Sequence, residues 1–159
     1  LTEVFMEEYR LGELRTIAKT QALKLDVHVT PQAASVLAKH CQGVPRRIHV
    51  WLETLRITFP GATQISSSQV ARFLRGEGID EHSLRPQQRS YLRLLVRAPK
   101  RRLSIKQLSA GLGLDPAYIR DEIEYFLLDR RFMEVVGNNL RSITDAGLEV
   151  IVPDTDAEV

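Results

Sequence analysis

Only one stretch of any length in this chain alternates apolar and polar residues, "FMEVVGNNLRSIT" (residues 132–144), and it does so around Gly137-Asn138-Asn139. A Gly/Asn tip between two runs of period two is a hairpin signal. Elsewhere the apolar residues recur at spacings of three and four, the helical period. "RRLSI" (residues 101–105) is too short for more than a stub of strand. Any sheet is therefore small, and the fold class expected is mainly α.

The helical signals fall into two groups. In "LGELRTIAKTQALKL" (residues 11–25), Leu11, Leu14, Ile17, Ala18 and Ala22 share one face. Thr30-Pro31 reads as an N-cap followed by proline at the first helical position, opening a helix that buries Ala34, Val36, Leu37 and Ala38 and ends near Gly43. A third helix begins around Pro45, carries Ile48, Trp51, Leu52 and Leu55, and stops at Phe59-Pro60-Gly61. Ile65 is a strand-like end leading through Ser66 to Ser68 into a fourth helix, Val70 to Arg75. "GEGIDEHSLRP" (residues 76–86), with two glycines and several charges, is the linker. These signals give a four-helix domain over residues 1–78.

A different rhythm follows over residues 79–159. "PQQRSYLRLLVRA" is helical, and "SIKQLSAGLGLD" is a helix expected to break at Gly111 and Gly113. Asp115 caps a longer helix with Pro116 at its first position, and Thr144 caps a last short one, "DAGLEVI". Helix, stub, helix, turn, helix, hairpin is the order of a winged helix, here with three helices, a β-hairpin wing and an acidic tail.

Composition narrows the function. At 43% hydrophobic and 26% charged, the chain is an ordinary folding sequence, not a disordered one. No apolar run approaches the roughly 18 residues that span a bilayer, and "LTEVFMEEYR" is not a signal peptide. One cysteine, Cys41, excludes an internal disulfide framework and fits a reducing, cytoplasmic setting. The chain does not start with Met, so it is expected to be a piece of a longer protein.

Catalytic patterns are missing. There is no phosphate-cradling G-x-x-x-x-G-K-[ST] loop, no HExxH, and no serine or cysteine in a recognisable nucleophile setting. His40 and Cys41 are helix neighbours about 100° apart, so adjacency does not pair them, and both read as structural. His28, His49 and His82 show no metal-ligand spacing.

The net charge of +2 hides a segregation. No acid occurs between Glu81 and Asp115, a window holding Arg85, Arg89, Arg93 and Arg97 at every fourth position, then Lys100, Arg101, Arg102 and Lys106. Like charges at that spacing repel by a few tenths of a kcal/mol per pair. Solvation, pairing with acids elsewhere in the fold, or nucleic-acid phosphates would each relieve this, and the sequence leaves the choice open. The helix expected to read a groove buries Ile119, Ile123, Phe126 and Leu127 and leaves Asp121, Glu122 and Glu124 facing out, which repels phosphate. Arg141 is the cation offered near the wing tip. DNA contact, if made, is expected to be to the backbone, with low sequence preference.

Two adjacent arginines, Arg46 and Arg47, open the third helix in "CQGVPRRIH", the helix end that prefers negative charge. "GVPRRIHVWLETLR" resembles the sensor 2 motif in the helical lid of AAA+ ATPases and is most similar to the RuvB branch-migration motors, whose pattern reads Gly-Thr-Pro-Arg. "EEYRLGEL" is similar to that family's segment entering the lid, with Tyr9 and Leu14 in matching places. "YIRDEIEYFLLDRRFMEVVGNNLRSIT" looks like its winged-helix end, with Arg131-Phe132-Met133 and Arg141 to Thr144 in corresponding steps.

The resemblance implies an AAA+ lid plus winged helix without the nucleotide-binding large domain. Arg46 would be the sensor 2 residue on the terminal phosphates of ATP, with Tyr9 and Pro45 beside the nucleotide and Mg held by the large domain. The parent would be an ATP-dependent helicase or translocase acting on Holliday junctions in recombination and repair, as a hexameric ring with a junction-binding partner protein. Arg47, Ile48 and His49 depart from the family's usual Ile, Ala and Asn, and the wing carries fewer basic residues. Origin-recognition and clamp-loader ATPases share a sensor 2 lid. A stand-alone winged-helix DNA-binding or adaptor protein is the alternative from another class.

Overall fold

The structure is a computed structural model describing residues 2–61 and 64–151, with side chains from Arg10 onward; the acidic tail lies outside the described residues. The chain divides into two compact units, Leu1–Ser83 and Leu84–Val159. The boundary thus falls beyond residue 78, because Ile79 is buried in the core of the first unit.

The first unit is built from α1 (Thr2–Lys24), α2 (Pro31–His40), α3 (Pro45–Thr58) and α4 (Ser67–Gly76). Ala18 and Ala22 of α1 are buried with Ala33, Ala34 and Ala38 of α2, small side chains that let these packed helices approach closely. Leu37, Ile48, Leu52 and Leu55 are fully buried behind them, each contributing roughly 1.5–3 kcal/mol. Val36, expected in the core, is only partly buried. The Thr30 hydroxyl caps α2 by accepting from the Ala33 amide at 3.0 Å. Ile65 pairs with Val29 in an isolated parallel bridge. The reciprocal Ser66–Gln69 capping box then starts α4 at Ser67, three residues ahead of Val70.

The second unit contains α5 (Pro86–Arg97), β1 (Arg102–Leu103), α6 (Ile105–Leu112), a long helix α7 (residues 116–129), β2 (Met133–Val136), β3 (Leu140–Ile143) and α8 (Asp145–Ile151). The antiparallel sheet has the order β1-β3-β2, with Arg102 opposite Ser142 and Met133 opposite Ile143. Asn138 and Asn139 take left-handed conformations at the hairpin tip. α6 continues through Gly111, because that glycine faces Leu94 of α5 where a β-carbon would sit 2.8 Å from Leu94 Cδ1. It ends at Gly113, whose φ of 67° makes the left-handed cap.

α7 changes geometry along its length: α over Pro116–Tyr118, π-type over Ile119–Glu124, and α again over Tyr125–Asp129. The wider middle turns bring residue 124 round onto the face of Ile119 and Ile123. Glu124 is therefore 3% exposed, which corrects the expectation that it faces solvent.

Thr144 accepts from the Gly147 amide at 3.0 Å, capping α8. Gly147 lies so close to Phe132 that a β-carbon there would collide with the Phe132 carbonyl oxygen. Gly147→Ala is expected to destabilise the winged helix by about 2–3 kcal/mol or more, read as a lowered urea midpoint; an unchanged midpoint would contradict this packing.

Candidate functional site

The α2–α3 corner is held by polar side chains. Gln42 and Ser83 are both nearly buried, at 7% and 3% exposure. Both are left-handed, with φ of 56° and 66°. The Gln42 amide donates to the Ser83 carbonyl at 2.6 Å, and Arg47 Nη1 donates to Gln42 Oε1 at 2.7 Å. His40 Nδ1 meets the Ser83 hydroxyl at 2.8 Å. Arg47 thus braces the corner, the role that the motif leaves unassigned.

Arg46 is different. It is exposed, and no hydrogen bond or ion pair engages its side chain among the described residues. It occupies the first turn of α3, whose N-cap residue Val44 supplies no side-chain cap, and Pro45 stands at the start of the helix. Guanidinium and uncapped helix start together suit phosphate oxygens. The Tyr9 side chain lies outside the described residues.

Cys41 is fully buried and donates to the Ala38 carbonyl at 3.3 Å. Burial pushes its thiol above the usual range. His40 turns to Ser83 rather than to Cys41. Burial, and then the charge of Lys39, lower the His40 pKa against the opposing pull of Asp80. Among the described residues no cluster of His, Cys, Asp or Glu could hold a metal ion.

In the second unit the basic series divides. Arg85 donates to the Glu122 carbonyl and Arg89 to the Leu84 carbonyl at 2.8 Å, so both serve the fold's own backbone. Arg93 is half-buried and also has an interaction within the fold. Arg97, Lys100, Arg101, Arg102 and Lys106 are all exposed, and none of their side chains has a hydrogen bond or ion pair among the described residues.

Arg141 is not the exposed wing cation expected. Its side chain is 10% exposed and its Nε lies 2.9 Å from Glu124 Oε2, itself in a side chain only 4% exposed. Nη2 reaches Glu124 Oε1 at 3.3 Å, and Nη1 donates to the Asn139 carbonyl at 2.8 Å. The hydroxyl of fully buried Tyr91 donates to Glu124 Oε2 at 2.5 Å. Burial, then the neighbouring carboxylate, hold that phenol far above its usual pKa, so it remains a donor. The strand's alternation carried the signal: with Ile143 inward, Arg141 points inward too.

Residues 81–152 match the RuvB C-terminal winged helix domain family. The chain carries a RuvB-type winged helix. It is also similar to the Holliday junction branch migration complex subunit RuvB of Synechococcus sp., 29% identical over 149 residues that cover 89% of this chain. Against the RuvB subunit of Kosmotoga olearia it is 30% identical, over 80% of this chain. The match spans only 42% and 38% of those relatives' lengths. The solved Thermotoga maritima RuvB branch migration motor shares the fold over 88% of this chain and 48% of its own, with a TM-score of 0.79 at 24% identity. RuvB-like similarity therefore extends across both units. Among the described residues no helix is long and apolar enough to cross a membrane.

Two outcomes follow for this RuvB-like chain. Arg141→Ala strands a buried carboxylate and is expected to destabilise the second unit by about 3–5 kcal/mol, measured by urea unfolding followed at Tyr91 and its neighbours. For His40, the unfolded state binds its proton first as pH falls below about 6.5, so stability declines on acidification through and below that value. The urea midpoint is expected to fall between pH 7.5 and 5.5, and less steeply in His40→Gln; equal slopes would remove His40 as the cause.

Proposed function

We propose that the chain is the nucleotide-sensing lid and winged helix of a RuvB-like DNA-translocating motor acting at Holliday junctions. The lid is the first unit, and Arg46 is its sensor 2 residue. The carrying observation is the contrast within one arginine pair: Arg47 is committed to Gln42, while Arg46 is exposed and unengaged at an uncapped helix start. A fixed cation there is unfavourable until an anion arrives, and the terminal phosphates of ATP, held mainly by a large domain with its Mg, are that anion. Pro45 sets the helix start, and the family resemblance assigns Tyr9 to the nucleotide-binding residues.

ATP supplies the energy in this reading, and Arg46 reports its phosphate state to the lid. The winged helix contacts the DNA backbone with little base reading, since α7 presents Asp121 outward. The Holliday-junction and motor assignments rest on the relatives' names, as do the hexameric ring, the junction-binding partner and the cytoplasmic setting. A stand-alone adaptor gains no specific support, because it leaves Arg46 without a partner.

In a RuvB-like protein containing this chain and a nucleotide-binding domain, Arg46→Ala is expected to reduce ATP turnover by roughly 10- to 150-fold, the worth of a charged hydrogen bond of about 1.5–3 kcal/mol. Arg47→Ala should instead lower the stability of the lid. Unchanged turnover in Arg46→Ala would sink the sensor assignment.

A further inference from the structure

We infer that this winged helix grips duplex DNA through the tight turn between α5 and β1, with Lys100, Arg101 and Arg102 on the phosphates, rather than through α7 or the wing. The inference rests on the proposed DNA contact and specifies its surface.

The turn is built against its own backbone preferences. The Arg101 amide donates to the Ala98 carbonyl at 2.9 Å, with Pro99 at the first central position and Lys100 at the second, φ 56° and ψ 15°. That second position is left-handed and favours glycine. Arg101 follows with φ 56° as well, and the Arg102 amide closes onto Pro99. A chain needing only a turn here would place glycine or asparagine, as it does at the wing with Gly137, Asn138 and Asn139. Instead it places two cations, and Arg97, Arg102 and Lys106 add exposed charge on either side.

The usual reading elements are unsuited by the same criteria. The wing tip holds no charged side chain, and its nearest arginine, Arg141, is buried on Glu124. On α7, Arg120 stands beside Asp121, and Glu122 occupies the next position. The register separates the turn from the wing: Arg102 pairs with Ser142, toward the Ile143 end of the hairpin, while Gly137 to Asn139 lie at the other end.

Glu134, also opposite Ser142, is the carboxylate in line with Arg102. Two strand spacings, about 10 Å, separate them, about one Debye length at 0.1 M salt. It therefore leaves the cations available.

The test measures binding of the full 159-residue chain to a labelled 30-base-pair duplex across a salt series. The variants are Lys100→Gly/Arg101→Gly, in which glycine keeps the left-handed turn and removes both charges, and Asn138→Asp/Asn139→Asp at the wing. Thermal unfolding is followed for each. The turn variant is expected to melt no lower than the parent, bind about tenfold more weakly at 0.1 M salt, and lose about 2 from the slope of log K against log salt. The wing variant should change affinity less than about twofold. A parent that binds but loses affinity only through the wing variant overturns the turn as the contact and leaves DNA binding intact. A parent that does not bind duplex even at 50 mM salt overturns the DNA-contact reading and this surface with it.

Discussion

The second unit depends on one buried ion pair, Arg141 with Glu124. Two charges removed from water cost several kcal/mol each, and their attraction recovers this only with good geometry and every other donor and acceptor satisfied. Those conditions hold here. Glu124 receives Arg141 Nε at 2.9 Å and the Tyr91 hydroxyl at 2.5 Å, and Arg141 spends a third donor on the Asn139 carbonyl. The three residues come from α7, β3 and α5, and the Asn139 contact ties the wing tip into the same network. Apolar burial around Ile119, Ile123 and Leu127 supplies most of the stability, but it is non-directional. The ion pair fixes how the hairpin stands against α7.

That commitment shapes the electrostatics of the surface. A guanidinium bound to Glu124 and a backbone carbonyl leaves the wing tip neutral. Arg85 and Arg89 are likewise spent on the carbonyls of Glu122 and Leu84. The every-fourth arginine pattern, which looks in sequence like one continuous positive face, is thus two things: structural cations in the first turns of α5, and unengaged ones from Arg97 to Lys106. The arginines of the first group satisfy backbone carbonyls of the fold, and the side chains of the second have no partner among the described residues.

Much of this was legible beforehand, for identifiable reasons. Helix starts were readable because Thr30, Ser66 and Asp115 are caps with local chemistry, and all three accept from an amide two or three residues on. The hairpin was readable because left-handed Asn138 and Asn139 mark a tip. The winged-helix order followed. A 3.6-residue period places Glu124 outward, and no local signal announces the π-type turn that buries it. A charge at a wing suggests solvent for Arg141, although alternation from Ile143 gives the opposite answer. The glycine-rich neighbourhood of Ser83 reads as a loose linker; its partners, His40 and Gln42, are more than forty positions away, and tertiary pairing of that kind leaves no trace in local pattern.

The α2–α3 corner shows why two neighbouring arginines differ in kind. Successive helical residues point about 100° apart, so one site cannot accommodate both guanidinium groups. Arg47 points back onto Gln42, whose left-handed backbone and buried amide hold Ser83 at the end of the first unit. Such strain persists only where the surroundings over-determine it, and here the surroundings are the hydrogen bonds from Arg47, His40 and the backbone that converge on Gln42 and Ser83. A corner held this rigidly keeps Gly43 to Pro45 from drifting and fixes the direction in which Arg46 leaves the helix. Phosphate discrimination by one arginine requires placement within a few tenths of an ångström to about half an ångström. In the proposed reading, the bracing by Arg47 is what would place Arg46, an exposed side chain with no partner among the described residues, for contact with phosphate.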